Sequence, residues 1–278
     1  MDYLMIVGAA FLFSMQFLFT SRYEAETGGG WSSSLKFTLY SGIAGLAVLF
    51  IVNGFKLSFS VVSLALAALY AVVCIGCSYA SIKAFQYGNM SVYSVYCMIG
   101  GMLLPFIYGV ACGEDFTLMR LICCLLIALS VVLTIQKGDA SQKAMRYYIM
   151  IFILNGLGGV ICAYHQAQLT AVDNGSFMML SRIVSIPVCG LLLLKRRDYK
   201  LNLKALFYSA GYSVLNNLGV LLQLTALLTL PSSVQFPLVT GGVIVFSTVF
   251  SFVRREKVTV KQVLAALVAL TASVFMAL

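Results

Sequence analysis

The chain has 278 residues, 61% of them hydrophobic and only 10% charged, with mean hydropathy +0.99 and formal net charge +9. Soluble domains carry about 45–50% apolar and about 25% charged residues, so a water-soluble fold of this length cannot hide so much apolar surface. The composition excludes a soluble domain and predicts a multi-pass integral membrane protein. The positive charge does not point to nucleic acid either, because the basic residues sit in short gaps between apolar runs, the pattern that orients membrane proteins.

A span takes about 20 apolar residues. Ten runs qualify: 3–20, 35–53, 61–82, 90–112, 117–136, 147–168, 175–194, 204–228, 232–253 and 259–278. Each is expected to be a helix, because backbone groups in lipid must be satisfied within their own segment. The first run carries Asp2 and no basic residues ahead of it, so it reads as a span and not a cleaved signal. The breaks between runs hold turn residues: Gly28-Gly29-Gly30, Asn53-Gly54, Gly88-Asn89, Lys137-Gly138-Asp139, Asn174-Gly175 and Pro231.

Fifteen Lys and Arg residues fall beside the loops after spans 1, 3, 5, 7 and 9, and two, Lys56 and Arg120, on the opposite side. That bias makes the first side cytoplasmic and puts both termini outside. Residues 84–136 also lie over residues 226–278. Ala84 falls on Ala226, Ser91-Val92 on Ser233-Val234, Gly100 on Gly242, Glu114 on Glu256, Thr117 on Thr259, Leu125 on Leu267 and Val132 on Val274. Each copy is a break, an apolar run with a glycine pair (Gly100-Gly101, Gly241-Gly242), a charged turn with Glu, and a second run. Five spans per half make the copies antiparallel. The fold class expected is therefore an all-α membrane protein of ten transmembrane helices in two inverted five-helix repeats, 1–138 and 139–278.

The stretch Ala84-Phe-Gln-Tyr-Gly-Asn-Met-Ser-Val-Tyr-Ser-Val95, the Ile99-Gly-Gly run and Gly113-Glu114 resemble the third and fourth helices of small multidrug resistance proteins. They are also similar to the repeat of EamA-type permeases of the drug/metabolite transporter superfamily. Leu230-Pro-Ser-Ser-Val234, with Gly241-Gly242 and Arg255-Glu256, resembles the same repeat in degenerate form. The resemblance implies ten helices in two inverted five-helix repeats around a central cavity, and transport of small metabolites or drugs. The chain departs from the small multidrug resistance pattern in its first span. Where those proteins use a carboxylate, Gly8–Thr20 offers only Ser14 and Gln16.

All nine acidic residues fall in loops or at span ends, and two ionisable groups lie within spans. Arg182 is placed mid-membrane, where a guanidinium costs about 3 kcal/mol on lenient scales; it suggests a cavity-facing anion site or a bond to backbone carbonyls. His165, the single histidine, titrates near neutrality when unperturbed and could carry protons or simply be a satisfied core group. Neutral candidates for the substrate path are Gln16, Tyr79, Tyr93, Tyr96, Asn155, Asn216, Asn217 and Gln235. Tyr93, Tyr96 and Gly100 share a helical face that reads equally as a binding wall or a packing seam. Gly101, Gly241 and Gly242 read as packing positions. Of the eight cysteines, Cys74 and Cys77 form a CxxC, but without a second pair or a nearby histidine they read as packing residues, and no metal or cofactor is expected.

These observations favour a secondary transporter over an enzyme: an exporter of small organic metabolites such as amino acids or organic acids, working by alternating access. A multidrug cation permease and an accessory subunit of a lipid-carrier flippase are the alternatives. The expected partners are a small-molecule substrate and the lipid bilayer, with no nucleic acid. The chain is expected as a monomer or homodimer in a bacterial cytoplasmic membrane.

Overall fold

A computed structural model describes residues 2–87, 90–113, 117–133, 142–169, 171–197, 201–253 and 260–277. Within them the chain forms ten helices and no strand. These are α1 (Asp2–Thr27), α2 (Trp31–Val52), α3 (Val61–Tyr87), α4 (Met90–Ala111), α5 (Leu118–Leu133), α6 (Gln142–Gln168), α7 (Asn174–Lys195), α8 (Leu203–Ala226), α9 (Ser232–Val253) and α10 (Val260–Ala277). Seven of them, all but α4, α5 and α10, are long and apolar enough to cross a membrane. The other three hold shorter apolar stretches and border residues outside the described set. The all-helical class stands, and the apolar helices fit a multi-pass membrane protein. The Gly88-Asn89 and Lys137–Asp139 breaks and the repeat positions Glu114, Glu256 and Thr259 lie outside the described residues.

Three helices outrun the apolar runs that predicted them. α1, α3 and α6 are 26, 27 and 27 residues long. Their extensions carry Arg22, Glu24 and Glu26 in α1 and Lys143 and Arg146 in α6. Polar side chains are no burden beyond the hydrocarbon region, and continuing the helix keeps the backbone paired. α1 stops at Gly28, whose φ of +70° is a left-handed cap; its N–H reaches the Glu24 carbonyl at 2.8 Å.

α1 packs on α8 and α9, and α6 on α3 and α4. α2 lies against α7 and α8, α3 against α7, and α4 against α9, while α5 pairs with α10 and α10 with α9. The tightest seam is α4 on α6. A Cβ at Gly100 would stand 2.1 Å from the Phe152 carbonyl oxygen, and one at Gly156 2.7 Å from the Gly100 oxygen. Without side chains there, the backbones approach closely and gain dispersion contact, the main attraction between helices in lipid. At the α9–α1 seam, a Cβ on Gly242 would stand 2.7 Å from the Ala10 Cβ. Gly241 is buried.

Contacts between loops fix which helix ends lie together. Lys83 Nζ donates to the Gly29 carbonyl at 2.8 Å, and Lys204 stands 3.8 Å from Glu26. The α1–α2 turn, the end of α3 and the start of α8 therefore share one end of the bundle. At another end, Ser58 of the α2–α3 turn donates to Asp173 ahead of α7 at 3.0 Å.

Candidate functional site

Eight helices, all except α5 and α10, enclose a central cavity of about 200 Å³. The lining follows helical periodicity. α3 contributes Tyr70, Cys74, Cys77 and Ser81, and α8 contributes Tyr212, Asn216, Val220 and Gln223, each set one stripe of its helix. Phe13, Phe17 and Phe37 add an apolar wall at the α1–α2 side, and Phe236 closes the α9 side. The CxxC pair lines the cavity together with Cys97 and Cys162, all as free thiols. Among the described residues no group of His, Cys, Asp or Glu is arranged to hold a metal.

Arg182 is the single charged residue among those described in the lining, and it is 7% exposed. Its position is built by α8. Arg182 Nη2 donates to Asn217 Oδ1 at 3.3 Å, and Asn217 Nδ2 in turn donates to the Ser213 carbonyl at 2.7 Å and to Ser213 Oγ at 2.9 Å. Ser213 Oγ donates to the Ser41 carbonyl of α2. α2 leaves room for this arrangement through Gly45, where a Cβ would stand 2.5 Å from Asn217 Nδ2. The Arg182 Nε is buried and has no hydrogen-bond partner among the described residues. A guanidinium removed from water, held by one neutral amide and faced by no carboxylate among the described residues, is under-compensated. Its chemistry favours an anion, and its planar fork suits a carboxylate or phosphate.

The other polar groups are arranged around it. Asn216 Nδ2 donates to Gln16 Oε1 at 2.8 Å, joining α8 to α1 across the cavity wall. Asn155 Nδ2 donates to the Cys97 carbonyl at 2.8 Å, in space left by Gly101, where a Cβ would meet that amide at 2.5 Å. Tyr93 shares a 2.8 Å hydrogen bond with Ser81 and meets Phe17 edge-on, with ring centroids 6.1 Å apart. The cavity thus offers one cation, amides and hydroxyls with remaining capacity, and aromatic faces.

Of the residues the sequence nominated, Gln16, Tyr93, Asn155, Arg182 and Asn216 line the cavity, and five others do not. Asn217 is fully buried behind Arg182, its amide committed to Ser213. Tyr79 is wedged between Trp31 and Tyr147, with ring centroids 4.8 and 5.9 Å away. Tyr96 stacks on Tyr148 at 5.5 Å and donates to Met145 Sδ. Gln235 is fully buried and donates to the Gln223 carbonyl, bridging α9 to α8. His165 stacks on Phe177 with centroids 4.0 Å apart. The shared face of Tyr93, Tyr96 and Gly100 is divided: Tyr93 meets the cavity, Tyr96 meets Tyr148, and Gly100 meets the α6 backbone. One helical stripe is wide enough to touch a cavity and two neighbouring helices.

Tyr70, Tyr212, Ser81 and Thr20 line the cavity and were not nominated. A signal for three of them exists: Tyr212, Asn216 and Gln223 recur at helical spacing, and Tyr70 and Ser81 do so with the CxxC. Fifteen tyrosines in the chain bury that signal in background.

No family model matches the chain, and no curated protein matches it. A solved structure described as "Crystal structure of protein" superposes on 99% of this chain and 95% of its own, with TM-score 0.73 and 13% identity. At that identity the likeness shows a shared fold and nothing about activity. Fold and cavity together define a helical membrane protein with a polar and aromatic central chamber.

Proposed function

We propose that the chain is a secondary transporter of the drug/metabolite transporter type that exports small organic metabolites, such as amino acids or organic acids, by alternating access. The observation that carries this reading is Arg182, a buried cation on a central cavity with no carboxylate partner among the described residues. A substrate carboxylate would supply the missing charge. The cavity's size supports the same reading: pockets for drug-sized ligands are roughly 300–1,000 Å³, larger than the 200 Å³ found. A cationic drug would also meet the arginine's charge, which disfavours the multidrug alternative. An accessory subunit would have no use for such a chamber.

Two features support the inverted five-helix repeats of this reading. Helix pairings recur when five is added to each number: α3–α6 answers α8–α1, α4–α6 answers α9–α1, and α3–α7 answers α8–α2. The pairs α2–α7, α4–α9 and α5–α10 answer themselves. Direction agrees as well, since α2 ends where α7 begins, and α3 ends where α8 begins. The basic bias of the loops supports a cytoplasmic α1–α2 end and an outer α2–α3 end.

The test is counterflow. Purified protein is reconstituted in liposomes loaded with one unlabelled compound from a panel of amino acids, organic acids and lipophilic cations, and uptake of the labelled compound is followed. The expected result is transient accumulation of at least one carboxylate, lost in a folded Arg182→Gln protein. Movement of cations alone, or of nothing in the panel, would overturn the reading.

A further inference from the structure

The α2–α3 end of the bundle is fastened by a compact hydrogen-bond node. Asp173 caps α7: its Oδ1 accepts from the Ser176 N–H at 2.8 Å and its Oδ2 from the Ser176 hydroxyl at 2.6 Å. The same Oδ2 accepts from the Ser58 hydroxyl of the α2–α3 turn at 3.0 Å. Ser176 Oγ then accepts from the Ser58 N–H at 2.8 Å and from Asn53 Nδ2 at 3.3 Å. Gly175 admits Asn53, because a Cβ there would stand 2.5 Å from Asn53 Oδ1. One carboxylate and one serine thus tie the α6–α7 turn to the α2–α3 turn.

Directly beneath lies His165. It is 1% exposed, and neither ring nitrogen has a hydrogen-bond partner among the described residues. Its ring is stacked on Phe177, whose ring meets that of Tyr70, a cavity-lining residue, at 5.7 Å. The fixed charge at the start of α7 is Asp173, one helical turn before the Phe177 on which the imidazole stacks; the Phe177 N–H reaches the Asp173 carbonyl at 2.9 Å. The titratable group near it on α3 is Tyr70; on α6 itself these are Cys162, buried, and Tyr164, exposed. A neutral imidazole leaves one donor and one acceptor unpaired here, whereas an imidazolium would leave two charged donors unpaired. Burying unpaired charge costs far more than burying an unpaired neutral group, so the fastened arrangement accommodates the neutral ring only.

We propose that His165 and Asp173 form a proton-operated latch that holds the cavity shut at the α2–α3 end. When the turns part, a proton from bulk water binds an imidazole nitrogen, and the new N–H donor holds the Asp173 carboxylate away from Ser58 and Ser176. The two turns separate, and movement of Phe177 and Tyr70 opens the chamber at that end. The proposal deepens the transporter reading and rests on it for what the latch gates; the latch itself is a property of the fold and is measurable without a substrate. The sign follows from linkage: acid favours the open state, because only there does His165 carry its proton freely. One proton is taken up on opening, so lowering pH from 7.5 to 5.5 raises the open population, on the order of tenfold for an imidazole that titrates freely in the open state.

Hydrogen–deuterium exchange on the full chain in lipid nanodiscs tests this, with peptides covering residues 53–60 and 165–177 and rates corrected for intrinsic chemical exchange. The wild type should exchange about tenfold faster in both segments at pH 5.5 than at 7.5. His165→Phe, which keeps the stack and cannot titrate, should show no such rise; His165→Gln serves if the phenylalanine variant does not fold. Asp173→Asn should exchange faster already at pH 7.5 and lose the further rise. A wild type indifferent to pH, a His165 variant that keeps the tenfold rise, or an Asp173→Asn protein that behaves as wild type would each overturn the latch. Counterflow with an unresponsive latch would leave the transporter reading intact. A responsive latch without counterflow would sink that reading alone.

Discussion

Asn217 steadies Arg182 without neutralising it: the amide oxygen accepts from the guanidinium at 3.3 Å, while the amide nitrogen is spent on Ser213. The arginine is thus held in place with its Nε bare and its charge uncompensated among the described residues. An arginine held in this way keeps a donor for a further partner, and the proposed partner is a substrate carboxylate.

Substitutions at this pair should separate charge from geometry. Each hydrogen bond to a charged group contributes about 1.5–3 kcal/mol, so Arg182→Gln should weaken binding of the transported carboxylate about 10- to 100-fold. Arg182→Lys keeps the charge, loses the fork and should fall between. Asn217→Ala should weaken binding less and also lower thermal stability, since it leaves Arg182 unsupported. Titration calorimetry or inhibition of counterflow measures the affinities. Unchanged carboxylate affinity in Arg182→Gln would make the arginine structural.

The glycine seam makes a sharper stability prediction. Gly100→Ala drives a Cβ into the Phe152 carbonyl of α6, a backbone atom that cannot step aside cheaply. It should cost about 1–3 kcal/mol or more, as overpacking does. Gly190 of α7 has nothing within 4 Å of its built Cβ, so Gly190→Ala should be neutral or stabilise by up to about 1 kcal/mol. Thermal melts of the two variants in the same detergent decide it; equal behaviour would contradict the close α4–α6 approach.

Asp173 gives a pH dependence. Burial pushes its carboxyl pKa up, but hydrogen bonds from the Ser176 hydroxyl and N–H, Ser58 and Asn53 outweigh this and hold it below the usual carboxylate range. A depressed folded value stabilises above the unfolded pKa, about 3.9, and the benefit is lost as pH falls through the folded value. Asp173→Ala should therefore cost about 0.5–2 kcal/mol, the worth of a helix cap, at pH 7. In a His165→Phe background, where the latch cannot release the cap, the cost of Asp173→Ala should shrink only below about pH 4. Melting temperatures from pH 8 to pH 3 test this, and a constant gap would mean the charge is irrelevant to the cap.

Orientation is tested at the C-terminus. With fifteen Lys and Arg on one side and two on the other, a reporter fused after Leu278 should be active only outside the cytoplasm. Activity in the cytoplasm would invert the assignment of the two ends.

The helical membrane class of this molecule and the positions of its ten helices were legible in the sequence. Apolar runs of about 20 residues leave a chain few choices in lipid, and the ten helices fall on the ten runs. Their ends moved outward in α1, α3 and α6 because polar residues continue a helix freely once it leaves the hydrocarbon. Gly100 was open in the sequence to a binding wall or a packing seam, and only the structure sets it against the Phe152 carbonyl of α6. Which polar residues meet the cavity was decided only by the tertiary structure. Adjacent residues on a helix point about 100° apart, so Asn216 and Asn217 look alike in sequence, yet one lines the chamber and the other stands behind Arg182. His165 is the same case. A lone histidine in an apolar run does not say what it faces, and only the packing of α6 against α7 sets it on Phe177, beneath the Asp173 node. Rotation of each helix about its axis is fixed by its neighbours, and a hydropathy pattern apolar on nearly every face carries little information about that rotation.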